Sequence, residues 1–263
     1  MSSQLQAGAM GPVDCATPGK VYVGAFGGGG SSNKIRISQY GTAYSTEEDG
    51  GPLAVNAFGR TNSRDLWLGG GQLGFQWSDV ALDYFNSHWA LSPAMELEGY
   101  YLEKSTFRSH DINNDTLRLT EHDFIVSYPM SSGVFLGNAI LNFNTSNLSR
   151  FKPFVGVGIG AAVVSISHAD AKQISPLELG VNHYNSNTND RVSAFAAQAK
   201  VGIKYDLCEN IKLLAEYRGV YIANTSFTFG STVFPGHSAT SSWLVKFGSQ
   251  YYNTGSVGIQ LSV

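Results

Sequence analysis

A chain of 263 residues can hold one large domain or two small ones, but here only 14% of the residues are charged, against about 25% in an ordinary soluble domain. Thirty glycines, 12% aromatics and a mean hydropathy of −0.09 suit a chain that alternates apolar and polar residues so that neither dominates. A net charge of −3 with no Lys/Arg block excludes nucleic acid as a general partner, and the best uncharged run, 153–167, is shorter than the roughly 20 residues of a transmembrane helix.

Residues 1–18 are expected to be an N-terminal periplasmic tail. The first charge is Asp14, so a basic leader region is missing, while Ala7-Gly8-Ala9 is a small-residue pattern of the cleavage-site type. From residue 19 the dominant signal has period 2. Eight segments carry it, at about 20–28, 66–77, 91–106, 132–144, 152–167, 191–206, 211–225 and 254–263. The first sets Val21, Val23 and Ala25 against Tyr22, Gly24 and Phe26. The second sets Trp67, Leu73, Phe75 and Trp77 against Gln72, Gly74 and Gln76. The third opposes Met95, Leu97, Gly99 and Tyr101 to Glu96, Glu98 and Tyr100. The fourth opposes Phe135, Ala139, Leu141 and Phe143 to Leu136, Asn138, Ile140 and Asn142.

In the fifth, Val155, Val157, Ile159 and Val163 face one way, and Gly156, Gly158, Gly160 and Ala162 the other. The sixth places Phe195, Val201, Ile203 and Tyr205 opposite Gln198, Lys200 and Lys204. The seventh places Leu213, Ala215, Tyr217 and Tyr221 opposite Lys212, Glu216 and Arg218. The last alternates Val257, Ile259, Leu261 and Val263 with Ser256, Gly258, Gln260 and Ser262.

Connections alternate long (29–65, 107–131, 168–190, 226–253) and short (78–90, 145–151, 207–210), and Ser78-Asp79 is suited to cap one helical turn in the first short connection. Four long loops and three short turns are what eight antiparallel strands in an outer membrane require. The fold expected is therefore all-β: an eight-stranded antiparallel transmembrane β-barrel over 19–263, with four long extracellular loops, short periplasmic turns and both termini periplasmic. Trp67, Trp77, Tyr101, Phe143, Tyr205 and Tyr221 sit near strand ends on the apolar face, as interfacial girdles do.

The segments Gly19-Lys20-Val21-Tyr22-Val23-Gly24-Ala25, Lys152-Pro153-Phe154-Val155-Gly156-Val157-Gly158-Ile159-Gly160, Ala199-Lys200-Val201-Gly202-Ile203-Lys204-Tyr205 and Gly255-Ser256-Val257-Gly258-Ile259 resemble the OmpA-like, opacity-protein-like family of small outer-membrane barrels. The start Ala9-Met10-Gly11-Pro12-Val13 is similar to mature starts of surface proteins in Legionella-type bacteria. The resemblance implies a Gram-negative outer-membrane protein at the cell surface, in contact with membrane lipid and lipopolysaccharide. The last residue, Val263, departs from the aromatic with which such barrels usually end, which puts standard assembly in doubt.

An eight-stranded interior is just wide enough for side chains to fill it, and charges placed there must pair. Glu96, Glu98, Lys200, Lys204, Glu216 and Arg218 are the inward charges, expected to form a plug, a gate or a structural network. Glu96 and Glu98 share a face, but the Lys and Arg residues nearby would stabilise both anions and remove the general acid of glycoside chemistry. A lipid-modifying hydrolase would want a nucleophile two residues from a base, and none of the six histidines is followed at that spacing by Ser, Thr or Cys.

His110, His122, His168, His183 and His237 fall in or beside long loops, as scattered solvated surface. His168 with Asp170 lacks further metal ligands. Glycines 27–30 suit a flexible strand exit, with no phosphate-loop Lys after them. Cys15 and Cys208 are the only cysteines; both fall on the expected periplasmic side, where a disulfide or two thiols are open readings.

No enzyme, cofactor or metal is expected. The function expected is a surface or structural role with binding of a host or surface ligand at the loops, where Phe227, Phe229, Phe234 and Trp243 lie. A narrow porin-like channel and a lipid-modifying enzyme are the alternatives.

Overall fold

The computed structural model describes residues 19–81, 89–145 and 150–263. They form β1 (Gly19–Ser32), β2 (Arg36–Ala43), β3 (Leu53–Thr61), β4 (Asp65–Trp77), β5 (Val80–Ala81), β6 (Trp89–Asn113), β7 (Asp123–Thr145), β8 (Phe151–Ile166), β9 (Asp170–Ser175), β10 (Asp190–Cys208), β11 (Ile211–Ile222), β12 (Thr225–Phe229), β13 (Trp243–Phe247) and β14 (Gln250–Ser262). Eight of these close a ring. The order β6-β4-β1-β14-β11-β10-β8-β7 is antiparallel throughout, and β7 returns to β6 along most of its length. The architecture is an eight-stranded antiparallel β-barrel.

The period-2 pattern places the side chains as expected. Ile159 and Val257 are each about two-thirds exposed (66% and 67%) on the outside, while Gln198, Lys200, Ser256 and Gln260 are buried inside. A barrel with an apolar exterior and a polar lumen inverts the layout of a water-soluble protein. Trp67 and Trp77 both point outward from β4, ten residues apart in sequence. At about 3.3 Å per residue and a tilt of about 40°, they bracket an apolar band about 25 Å tall.

Interior glycines make room for larger neighbours. A Cβ on Gly74 would run into the Tyr22 ring, one on Gly156 into Ile140, and one on Gly158 into the Asn138 carboxamide.

Above the Trp67 level the pattern reverses. Along β7, Phe124, Val126, Tyr128 and Met130 are buried apolar residues, whereas lower down the buried positions include Ser132, Asn138 and Asn142. In β12 the buried residues are Thr225, Phe227 and Phe229, and Ser226 and Thr228 face outward. Apolar-in, polar-out is the arrangement of a wall in water. The change of solvent coincides with a β-bulge in β6 between Leu102 and Ser105, where Glu103 and Lys104 point outward.

Several connections differ from the sequence expectation. Most of 107–131 is a continuation of β6 and β7. The other long connections contain β2 and β3, β9, and β12 and β13. They form a sheet of order β12-β13-β2-β3-β6-β7-β9, which continues the barrel as a folded cap. Strand length and the inverted polarity explain the difference, because segments of 5–9 residues with apolar-in alternation do not match a lipid-facing template. At the helical turn expected after Ser78-Asp79, Val80 and Ala81 instead pair with Leu91 and Ala90.

Glycines 27–30 are not a flexible exit. They lie within β1, paired on both sides with β14 and β4. Gly28 and Gly30 face β14 so closely that a Cβ would strike the carbonyl oxygens of Gly255 and Asn253.

Candidate functional site

The lumen at mid-height is filled by one connected polar cluster. Glu96 and Glu98, two apart on β6, share the inward face. Across the barrel, β10 supplies Gln198 and Lys200, and β11 supplies Glu216 and Arg218, with Lys200 directly opposite Arg218 in register. Lys200 Nζ lies 2.5 Å from Glu96 Oε1, 3.0 Å from Glu98 Oε2 and 3.9 Å from Glu216 Oε2. Arg218 is fully buried and bridges two acids, Nη1 donating to Glu98 Oε1 and Nη2 to Glu216 Oε1. Its guanidinium stacks 4.3 Å from the Phe26 ring centroid and 5.0 Å from that of Tyr100.

Neutral groups complete the cluster. Tyr22 donates its hydroxyl to Glu96 Oε2 at 3.0 Å. Asn138 Nδ2 donates to Glu96 Oε1 at 3.1 Å and to Glu98 Oε2 at 2.7 Å. Gln198 Nε2 donates to Glu98 Oε2 at 2.7 Å and to Asn138 Oδ1 at 2.9 Å. Ser256 donates to Glu216 Oε1 at 2.9 Å. A charge taken out of water costs several kcal/mol unless paired and hydrogen-bonded, and these contacts offset that cost.

Of the six inward charges expected from the sequence, Glu96, Glu98, Lys200, Glu216 and Arg218 meet in this cluster. Lys204 does not. Its ammonium is buried without a hydrogen-bond partner among the described residues, over the rings of Tyr22 at 5.3 Å and Phe154 at 5.1 Å. Tyr22, Asn138, Gln198 and Ser256 were legible as inward residues, but only the register brings them to the charges.

Of the six aromatics placed at the girdles, Trp67, Trp77 and Tyr101 are exposed, and Phe143, Tyr205 and Tyr221 are half-buried. Tyr205 packs on Phe151 at 4.9 Å and Tyr221 on Tyr251 at 5.1 Å. Cys208 is exposed; Cys15, the residues 9–13 start and His88 lie outside the described residues.

The cap has its own filling. Tyr184, from the segment between β9 and β10, is fully buried and reaches Tyr128 Oη at 2.9 Å. Its hydroxyl also donates to Gln39 Oε1, and Gln39 Nε2 donates to Asp111 Oδ2 at 2.5 Å. Phe227, Phe229, Phe247 and Trp243 close around them, with the Tyr184 and Phe229 rings 4.8 Å apart. Burial pushes the Tyr128 and Tyr184 hydroxyls up from their usual range and raises the Asp111 carboxyl. Phe227, Phe229 and Trp243, expected on binding loops, are therefore core of the cap, and of that group Phe234 is exposed.

The histidines are not all scattered surface. His168 is exposed, and Asp170 pairs instead with Lys172 at 3.0 Å. His110 lies 3.3 Å from Asp123. His183, however, is buried beside Glu178 of its own segment and His237, which is distant in sequence and brought there by the cap. Burial holds the His183 ring below the usual histidine value.

No protein-family model and no curated protein sequence matches the chain. Solved structures do. The outer membrane protease OmpT from Escherichia coli is 10% identical, with 94% of this chain and 98% of that chain covered at a TM-score of 0.41. The outer membrane protein OprG from Pseudomonas aeruginosa is 13% identical, with 90% and 95% covered at 0.40. Neisserial surface protein A is 14% identical, with 92% and 96% covered at 0.32. These are likenesses to outer-membrane barrels at low identity and low TM-score, and the eight-stranded closed architecture rests on the strand pairing of this chain itself.

Proposed function

We propose that the protein is a bacterial outer-membrane barrel with a structural and surface-binding role, closed to solutes, whose folded cap stands outside the cell. The observation that carries this reading is the double filling of the axis: the Glu96–Arg218 cluster at mid-height and the Tyr128–Tyr184 ring stack above it. A conducting pore needs a continuous wet path, and an interior of eight strands leaves none once it is packed at two levels. The same observation counts against the narrow-channel alternative.

The apolar exterior band with aromatic residues at its edges supports an outer-membrane location. The longer, strand-built end suits the outside, with the short turns and both termini periplasmic. Above the band, Lys34, Arg60, Arg108 and His110 line a cleft on the outer wall. The Lys34, Arg60 and Arg108 cations suit the phosphates of lipopolysaccharide, and the polar outer face of the cap is where a host or surface ligand would bind.

The test is planar-bilayer recording of the refolded full chain. A flat trace in protein-containing membranes is expected, with insertion verified by protease protection of the barrel. Discrete current steps would overturn the closed-barrel reading.

A further inference from the structure

We propose that Glu178, His183 and His237 form a binding site for a divalent transition-metal ion of the zinc type, which fastens the one seam of the cap that strand pairing leaves open. The donor geometry is the first argument. His183 Nε2 lies 3.4 Å and His237 Nε2 3.7 Å from the same oxygen, Glu178 Oε2, and the three donor atoms all lie within 4.8 Å of one another. Ligands about 2.0–2.1 Å from a tetrahedral zinc stand about 3.3 Å apart, so small side-chain shifts complete the site. Two imidazoles and one carboxylate leave a fourth position for water.

The proton positions make the second argument. His183 Nδ1 lies 3.0 Å from the carbonyl of Ala171, and His237 Nδ1 lies 2.6 Å from the carbonyl of Ser238. A carbonyl oxygen only accepts, so each Nδ1 carries a proton. In the neutral rings each Nε2 then presents a lone pair, and both face a carboxylate oxygen that has no hydrogen-bond donor among the described residues. With both rings neutral, a metal cation held between them would satisfy all three acceptors at once. Nδ1–H to a backbone carbonyl is also the outer contact that orients metal-binding histidines.

Location is the third argument. The cap sheet runs from β12 to β9 and its two ends do not pair with each other. The segment 176–189 fills the gap, with His183 N donating to Ala171 O at 2.9 Å on one side and Gly230 N donating to Asn187 O at 2.7 Å on the other. Glu178 and His183 belong to this segment. His237 belongs to the connection between β12 and β13. A metal ion here would tie the segment to the far edge of the sheet. Nitrogen donors favour zinc, nickel or copper over calcium or magnesium, which prefer an all-oxygen shell.

The experiment is equilibrium titration of the refolded full chain in micelles with zinc chloride, alongside calcium chloride, for wild type, His237→Ala and Glu178→Gln. His237 lies on the connection between β12 and β13, outside the strand pairing of the barrel, so H237A should fold, as circular dichroism would verify. Expected are one zinc per wild-type chain, no response to calcium, and an affinity at least about 100-fold weaker in both variants. Zinc should also slow proteolytic cleavage within 176–189 in the wild type and not in H237A. Wild type that binds no zinc, or variants that bind it as tightly as wild type, would overturn the proposal, as would calcium competing on equal terms. A conducting barrel would overturn the closed-barrel function and leave this result untouched, so the two failures are distinguishable.

Discussion

At the scale of single residues, the barrel interior separates two kinds of buried cation. Arg218 holds Glu98 and Glu216 at once, so Arg218→Met takes a buried partner from two carboxylates and leaves Lys200 as the one cation facing three glutamates. Removing one partner of such a pair costs about 3–5 kcal/mol, and a urea titration of refolded barrel should show it. Lys204 makes no hydrogen bond among the described residues and lies over the faces of Tyr22 and Phe154. Lys204→Met replaces it with an unbranched apolar chain that packs on the same rings, and the expected change is below about 1 kcal/mol. Equal losses for the two variants would contradict the pairing described. In the cap, burial raises the Asp111 carboxyl above its usual 3.8, against the hydrogen bonds from Ser109 and Gln39. Its folded value exceeds its unfolded one, so its contribution is fully present below pH 3.8 and is lost as pH rises through the raised value. The stability difference between wild type and Asp111→Asn should therefore shift against the wild type as pH rises. A difference that does not change with pH would remove the burial argument.

At the scale of strands, alternation carries most of the fold. The eight membrane segments were legible because lipid outside and polar filling inside impose opposite chemistry on neighbouring residues, as in Val257-Gly258-Ile259-Gln260-Leu261. The cap strands were not, although Thr225-Ser226-Phe227-Thr228-Phe229 alternates as cleanly, because there the apolar residues point inward. Similarly, the charges of the lumen were legible from their faces. Their partners Tyr22, Asn138 and Gln198 required the register, and the Glu178-His183-His237 grouping required two loops to be folded against each other. Glycine positions test the facing directly. Gly158 faces inward against the Asn138 carboxamide, and Gly137 faces outward with open space about it. Gly158→Val should cost about 1–3 kcal/mol through overpacking, whereas Gly137→Val adds an apolar group to a lipid-facing wall. Comparing their refolding midpoints checks this, and a Gly137→Val loss as large as that of Gly158→Val would mean the faces are reversed.

At the scale of the whole molecule, the two fillings act in series along one axis, so neither should open the barrel when removed alone. The cap filling can be thinned without cutting the barrel. Asn224 and Ser249 are joined by a side-chain hydrogen bond of 2.8 Å, and Ile222 pairs with Gln250, so the ends of β11 and β14 already stand at hairpin distance. Replacing 225–248 by an Asn-Gly turn removes Phe227, Phe229, Trp243 and Phe247 while leaving the closing pairs of the barrel intact. This variant should stay silent in a planar bilayer, because Arg218, Lys200 and the three glutamates still fill the lumen. Glu216→Ala with Arg218→Ala in the full chain should also stay silent, because the ring stack persists above. Only the combination is expected to give current steps, small ones, since an eight-stranded wall leaves little more than a file of water beside Glu96, Glu98 and Lys200 once Glu216 and Arg218 are gone. Steps from the shortened chain alone would show that the charge cluster is no seal, and would return the barrel to the class of narrow channels.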